Sequence, residues 1–256
     1  MFSEAKPTII HKTQCMLKRF LKRLLPPNIY SSVLQRARRQ LKPVRWGNLR
    51  RTSPISTLFG TDRGQPIDRY YIESFLQKHS GDVRGSVLEI GDPTYTLKYG
   101  GERVTHSHVL HVTADNPQAT IVGNLETGQG ISDSAYDCII LTQTLLFIYD
   151  IHAAINNCYK ALKSGGVLLA TFPGISQVVK YDMDKWGDYW RFTDASARKL
   201  FGNVFGPEKV AVETHGNVLI ASAFLYGLAT SELKPYELDF NDPDYQVIIT
   251  VRAVKK

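Results

Sequence analysis

From Pro66 onward, short apolar runs alternate with stretches in which apolar residues recur every three or four positions. The runs are typical of buried strands, and the periodic stretches are typical of helices that cover a sheet. We predict one helix that begins at Pro66 and ends near Gly81. A second helix spans Ile151 to Leu162, and the basic and glycine-containing segment 163–166 is predicted to end it. The predicted strands are 86–90, 109–113, 120–122, 138–141 and 167–171.

This alternation of strands and helices predicts the fold class. Successive βαβ units give an α/β fold with a mostly parallel sheet that helices cover on both faces. Ligands of such open sheets bind at the carboxyl ends of the strands. We therefore expect the functional residues directly after the strands.

The first 53 residues follow a different pattern. They hold 13 of the 31 Lys and Arg residues and one acid, whereas the other 203 residues hold 18 basic and 23 acidic residues. We therefore divide the chain into a basic arm, residues 1–53, and a domain, residues 54–256. The arm is predicted to contain two helices, separated by Pro26 and Pro27. The first has an apolar stripe, Leu17, Phe20, Leu21, Leu24 and Leu25, opposite a basic face, Lys18, Arg19, Lys22 and Arg23.

Two interpretations of the arm stay open. It adheres to an anionic membrane surface or a protein partner, or its helices pack on the domain and leave the basic face in water. Nucleic acid is a poor fit, because the few aromatic residues of the arm are scattered and form no stacking motif. No apolar run reaches the roughly 20 residues of a membrane span, and charges interrupt any secretory signal. Three cysteines at long spacings predict a reducing compartment, so we expect a cytoplasmic protein, with the arm on the inner membrane face in the first interpretation.

Three segments resemble the first, fourth and fifth strand signatures of class I S-adenosylmethionine-dependent methyltransferases, in the order and spacing of that family. They are VLEIG at 87–91, DCIILT at 137–142 and ALKSGGVLL at 161–169. A narrower similarity, through RGQPIDRYY at 63–71 and WGDYWRFT at 186–193, is to bacterial methyltransferase-like proteins that accompany glycosyltransferases in surface-polysaccharide assembly. The resemblance implies a Rossmann-like fold with a mostly parallel seven-stranded sheet, and S-adenosyl-L-methionine as the cofactor.

The resemblance also implies where the cofactor lies. In the family, glycines in the loop after the first strand let the backbone approach the methionine part of the cofactor. Here Gly91 is present, but Pro93 and Tyr95 replace the other glycines, so the loop must take a different path and the helix after it must be short. The expected cofactor contacts are Glu89, Gly91, Asp92 and Thr94 at this loop, His111 near the ribose, Asn124 and Leu125 near the adenine, and Gln143 after the fourth strand.

The acceptor is expected beyond the fourth and fifth strands. Methyl transfer from a sulfonium is an in-line displacement, which needs alignment and, for a hydroxyl acceptor, a base. The segment 186–193 concentrates aromatic and polar side chains, which suits a sugar ring, although the same aromatics could instead pack this segment onto the sheet. The predicted acceptor-binding residues are Tyr149, Trp186, Tyr189, Trp190 and Arg191, and the base candidates are Asp188 and His215.

We therefore predict S-adenosylmethionine-dependent methylation of a hydroxyl on a sugar or glycan precursor. The alternative is a non-catalytic module of the same fold that docks a glycosyltransferase. A nucleic-acid methyltransferase is disfavoured, because the chain lacks the Asn/Asp-Pro-Pro-Tyr/Phe motif of enzymes that methylate base amino groups. No metal site is expected at His106, His108 and His111, because the first two share one face of a strand and the third points to the other.

Overall fold

The computed structural model contains two compact units, Met1–Thr52 and Ser53–Lys256. In the first unit, residues 29–33 and 36 are helical. The predicted first helix of the arm, with its apolar stripe and basic face, lies outside the described residues. No helix in the part of the chain that is described is long and apolar enough to cross a membrane. The structure describes residues 26, 29–33, 36, 45 and 47–256.

The second unit is built on a seven-stranded sheet. Its strand order is β3-β2-β1-β4-β5-β7-β6, and all neighbours are parallel except β7, which runs antiparallel to β5 and β6. The mostly parallel sheet predicted from the sequence is thus confirmed, with one antiparallel strand. The strand order reverses between β1 and β4, and in such sheets the crevice at the carboxyl ends of these two strands is where ligands bind. The strands are β1 (Gly85–Ile90), β2 (Val104–His111), β3 (Ile121–Val122), β4 (Tyr136–Thr142), β5 (Leu162–Pro173), β6 (Val210–His215) and β7 (Ile248–Val254).

Helices cover both faces of this sheet. Asp150 caps α2 (Ile151–Ala161), because its carboxylate accepts a hydrogen bond from the amide of Ala153 (2.9 Å). A capping box of Thr193 and Ser196 begins α4. The helices are α1 (Ile67–Lys78), α2 (Ile151–Ala161), α3 (Lys180–Trp186), α4 (Asp194–Phe205), α5 (Val218–Leu225) and α6 (Pro235–Asp239).

Two apolar clusters, one on each face, hold the sheet between the helices. Leu88 and Ile139 belong to the cluster that includes α2 and α4, whereas Val87 and Ile140 belong to the cluster that includes α1. All four side chains have no exposed surface. Because successive residues of β1 and β4 point to opposite faces and both faces are covered, apolar residues of these strands are adjacent in the sequence, as at 87–88 and 138–141.

The end of α2 differs from the prediction. The segment 163–166 was expected to form the last turn and the C-terminal cap, but it belongs to β5. The helix ends at Ala161, and Leu162 is already extended, with ψ 143°. The reason is tertiary, because Leu162 pairs with Tyr136 of the parallel strand β4.

The second strand also begins earlier than predicted. The sequence indicated 109–113, whereas β2 pairs with β1 from Val104 onward and ends at His111. Its first residues are half-buried or exposed, so their pairing leaves no apolar pattern in the sequence. Between β1 and β2 the chain forms a single π-helical turn, Thr96–Gly100, which agrees with the expectation of a short helix there.

Candidate active site

A cavity of about 690 Å³ lies at the carboxyl ends of β1, β4 and β5, where the strand order reverses. The wall also includes residues of α1 and of the segment before it, the segment that follows β5, and Phe224 of α5. The lining includes Asp68, Arg69, Glu73, Glu89, Asp92, Thr94, Tyr95, Gln143, Leu146, Phe147, Asp182, Asp188 and Arg191.

The loop after β1 is held by the carboxylate of Glu89. This side chain is buried, and its two oxygens accept hydrogen bonds from the amides of Tyr95 (3.1 Å) and Thr96 (2.7 Å). Burial raises the pKa of Glu89, although these hydrogen bonds partly oppose the effect. The loop also contains an Asx turn, in which the amide of Thr94 donates to Asp92 (2.9 Å). Glu89 therefore fixes the path of a loop that lacks two of the usual glycines.

Gly91 occupies a conformation that glycine alone adopts easily. Its φ is +90°, and a Cβ atom placed on it would meet no atom within 4 Å. Its carbonyl oxygen accepts a hydrogen bond from the side-chain amide of Asn116 (2.6 Å), and its amide donates to Leu110 (3.1 Å). The backbone at Gly91 is therefore fixed, and the space beside its α-carbon is open to a ligand.

Gln143 follows β4 in a strained conformation. Its φ is +47°, which is uncommon for a residue other than glycine. Its amide donates to the carbonyl of Thr171 (2.8 Å), so pairing with β5 maintains this geometry while the side chain lines the cavity. Strained backbone of this kind concentrates at functional sites.

Gly91 is not among the residues that line this cavity, and three other predicted cofactor contacts also lie outside its described wall. Asn124 uses its side-chain oxygen locally, accepting hydrogen bonds from the amides of Glu126 (2.7 Å) and Thr127 (3.3 Å). Leu125 is buried in the core. His111, at the end of β2, meets the ring of Trp186 edge-on, with the ring centroids 5.7 Å apart.

The contact between His111 and Trp186 shows how the segment after β5 runs. This segment contains α3. It begins at the end of β5 and reaches the end of β2, where Trp186 contacts His111. Because β4 and β1 lie between β5 and β2 in the sheet, the segment crosses their carboxyl ends. Its residues Gln177, Val179 and Asp182 therefore roof the cavity.

Asp188, a predicted base, is engaged by Arg191. The guanidinium binds both carboxylate oxygens, at 2.5 and 2.9 Å, and the side chain of Asp188 is only 3% exposed. Arg191 also donates to the carbonyl of Gln177 (2.6 Å), so the guanidinium is bound to the segment that covers the cavity. The pair therefore forms a rigid part of the cavity wall.

His215, the other predicted base, lies at the end of β6 and is not among the described residues of the wall. Its ring stacks on Tyr71, with the centroids 5.4 Å apart, and its Nε2 lies 3.3 Å from the hydroxyl of Thr250. Burial lowers the pKa of His215. The structure therefore places the imidazole in a packed contact between α1 and the sheet.

Three of the predicted acceptor residues, Tyr149, Tyr189 and Trp190, form an aromatic group beside the cavity, whereas Trp186 contacts His111 instead. The ring of Tyr149 meets that of Tyr189 edge-on, with the centroids 5.4 Å apart, and it lies tilted against Trp190, with the centroids 6.2 Å apart. The indole of Trp190 donates to the carbonyl of Ile148 (3.0 Å), so it is fixed, whereas Tyr149 and Tyr189 are exposed. A second cavity of about 870 Å³ includes Tyr149 and Trp190, and Arg191 lines both cavities.

The start of α1 supplies a part of the wall that the sequence did not predict. Asp68 and Arg69 lie in the first turn of this helix, and Arg69 donates to the hydroxyl of Tyr95 (3.1 Å). The available signal was the segment RGQPIDRYY at 63–71, which carried a family resemblance but no assigned role.

The histidines of β2 show no metal cluster. His106 and His108 stack with their ring centroids 6.3 Å apart, and His111 contacts Trp186 instead. Across the described residues, no group of three or more His, Cys, Asp or Glu side chains could hold a metal ion.

Comparison with known proteins gives one family match. Residues 95–170 match the model of a methyltransferase domain. No curated protein matches the chain. Similar solved structures include a SAM-dependent methyltransferase from Archaeoglobus fulgidus, with 12% identity and a TM-score of 0.48 over 73% of this chain and 94% of that one. Another is the N-methyltransferase NodS from Bradyrhizobium japonicum in complex with S-adenosyl-L-homocysteine, with 14% identity and a TM-score of 0.46 over 79% of this chain and 94% of that one.

The family match covers the segment from the loop after β1 to the middle of β5. Together with the strand order and the cavity at the reversal point, it supports a class I S-adenosylmethionine-dependent methyltransferase. S-adenosylmethionine is the cofactor that this class uses. The residues present fit such a ligand, because the space beside Gly91 is open and the neighbouring cavity wall supplies the polar side chains of Asp92, Thr94 and Gln143.

Proposed function

We propose that the protein transfers the methyl group of S-adenosylmethionine to a hydroxyl of a sugar or glycan precursor. The observation that carries the acceptor class is the exposed pair Tyr149 and Tyr189, which lies beside the fixed indole of Trp190 at the edge of the cavity. Aromatic faces pack against the apolar C–H patches of a sugar ring, and neighbouring polar groups bind its hydroxyls.

The residues of this chain have distinct roles in the proposal. When bound, the cofactor supplies an electrophilic methyl group on a sulfonium. Gly91 leaves open space for it, the side chain of Gln143 lines the cavity, and the roof segment excludes water. We assign Asp188 to orienting Arg191 rather than to proton uptake, because both of its carboxylate oxygens are engaged, so the proton of the acceptor hydroxyl passes to water at the exposed aromatic group.

The first experiment tests cofactor binding. Calorimetric titration of the full chain with S-adenosylhomocysteine should give saturable heat with a Kd in the micromolar range. Absence of heat at millimolar ligand would refute the methyltransferase proposal. It would leave the alternative, a non-catalytic module that docks a glycosyltransferase.

The second experiment tests the acceptor class. Transfer of radiolabelled methyl from S-adenosylmethionine is measured across a panel of sugar nucleotides and oligosaccharides. For an acceptor found there, Tyr149→Ala should raise KM at least fivefold while leaving S-adenosylhomocysteine affinity unchanged. Tyr236→Ala is the matched control, since Tyr236 is 65% exposed against 68% for Tyr149 and lies on α6, outside the described walls of both cavities. Equal KM values for the two variants would argue against the aromatic group as an acceptor site.

Attachment to a membrane or to a glycosyltransferase is a further part of the proposal, and it rests on the sequence of the arm. Reversing Lys18, Arg19, Lys22 and Arg23 to Glu should abolish co-sedimentation with anionic liposomes at low salt, where charge attraction is least screened. If the unaltered protein does not co-sediment, the membrane part of the proposal is wrong, and a protein partner is tested next by co-purification.

A further inference from the structure

Asp68 is a carboxylate that lines the cavity without forming an ion pair with another described residue. Its Oδ1 accepts a hydrogen bond from the amide of Arg69 (2.9 Å). None of the ion pairs in the described part of the chain includes Asp68. Burial raises the pKa of Asp68, and the charge of Arg69 only partly offsets that effect. Such a group gains stabilisation when a cation enters the cavity.

Arg69 is a cation with spare donors next to this carboxylate. One of its terminal nitrogens donates to the hydroxyl of Tyr95 (3.1 Å), and the guanidinium likewise takes part in no ion pair of the described residues. Burial lowers the pKa of Arg69, but Asp68 and Tyr95 more than compensate, so the net pKa is raised. The guanidinium is therefore charged, and its planar fork suits a carboxylate.

Three other carboxylates of the same wall, Glu73, Glu89 and Asp188, already have partners. Glu73 binds Lys98 (2.9 Å), Asp188 binds Arg191, and Glu89 accepts two backbone amides. Asp68 and Arg69 instead offer one negative and one positive group from consecutive residues at the start of α1. They lie beside the loop after Gly91, because Tyr95 of that loop contacts Arg69.

A ligand that complements this pair carries an ammonium and a carboxylate on neighbouring atoms, as an α-amino acid does. We propose that Asp68 receives the α-ammonium group, and Arg69 the α-carboxylate, of the methionyl end of the cofactor. This assignment rests on the proposed function. Tyr95 acts as a positioning residue, because its hydroxyl fixes the guanidinium.

The test compares two ligands that differ only in this end. S-adenosylhomocysteine carries the amino-acid group, whereas 5′-methylthioadenosine keeps the nucleoside and thioether and lacks it. Asp68→Asn and Arg69→Gln should each weaken binding of S-adenosylhomocysteine at least tenfold by calorimetry and change binding of 5′-methylthioadenosine less than twofold. Arg69→Lys, which keeps the charge and loses the fork, should give an intermediate loss and serves if Arg69→Gln does not fold.

A third ligand separates the two roles. Decarboxylated S-adenosylmethionine keeps the amine and lacks the carboxylate, so the unaltered protein should prefer S-adenosylmethionine over it. Arg69→Gln should abolish that preference, and Asp68→Asn should retain it. Glu213→Gln is the control, because this carboxylate binds Lys78 at the other end of α1, outside the described wall of the cavity.

The outcomes distinguish failure of the assignment of Asp68 and Arg69 from failure of the proposed function. If the unaltered protein binds S-adenosylhomocysteine and the variants bind it equally well, the assignment of Asp68 and Arg69 is wrong and the proposed function stands. Equal losses for S-adenosylhomocysteine and 5′-methylthioadenosine would also overturn the assignment, since they indicate a general distortion of the cavity. If the unaltered protein binds none of the ligands, the proposed function itself is refuted.

Discussion

Gly91→Ala tests whether a ligand lies against the loop after β1. The added methyl group would meet no atom of the protein within 4 Å, so it causes no steric clash in the ligand-free state. It does force an alanine to adopt a φ of +90°, which costs about 1–2 kcal/mol of stability, as for other left-handed conformations. If the cofactor occupies the open space beside Gly91, the methyl group displaces it, and affinity should fall at least tenfold, or about 1.4 kcal/mol.

Gly165→Ala supplies a matched control. Gly165 has a φ of +76°, and an added Cβ there would also meet no atom within 4 Å. It lies near the start of β5, at the opposite end of the strand from the cavity. The two substitutions should therefore cause similar losses of unfolding free energy in urea, whereas Gly91→Ala alone should weaken S-adenosylhomocysteine binding in calorimetry.

The comparison can refute the placement of the cofactor. If both variants are folded and bind S-adenosylhomocysteine equally well, the ligand does not lie against Gly91. A loss of binding in both variants would show that backbone strain, rather than displacement of the ligand, accounts for the effect.

Three further predictions concern buried groups. Glu89→Gln keeps one acceptor oxygen for two backbone amides, so the unfolding free energy measured in urea should fall by about 1–3 kcal/mol, and an unchanged value would contradict the assigned role of the carboxylate in the loop. Burial raises the pKa of Cys158 to about 12 and that of Cys138 further, so in a Cys15→Ser background a thiol reagent at pH 8 should label neither in the folded protein and both after unfolding. Burial holds the pKa of His215 below its unfolded value of about 6.5, so its neutral form stabilises the fold above that pH, and stability is lost as the pH falls towards the folded pKa. His215→Gln should lessen this acid-side decline in urea denaturation; an equal decline would show that other groups cause it.

The sequence by itself determined the central strands, the helices that flank them and the edge of the sheet that carries the site. Burial on both faces puts apolar residues next to each other in β1 and β4, and burial on one face gives α2 its helical period, so these patterns are local. A ligand site at the carboxyl ends of the strands then follows from parallel topology. For that reason Glu89, Asp92, Thr94 and Gln143 could be placed at the site from the sequence, and the structure lines the cavity with them.

Only the tertiary structure decided which side chains from distant parts of the chain line the site and which groups they contact. The start of α1 comes beside the loop after β1 because the helix packs on the sheet, which brings Asp68 and Arg69 into the cavity. Asp188 is engaged by Arg191, and His215 stacks on Tyr71, which lies 144 positions earlier in the numbering of the chain. Local patterns report whether a side chain is buried but not which distant group it meets, since partners are fixed only when the elements pack.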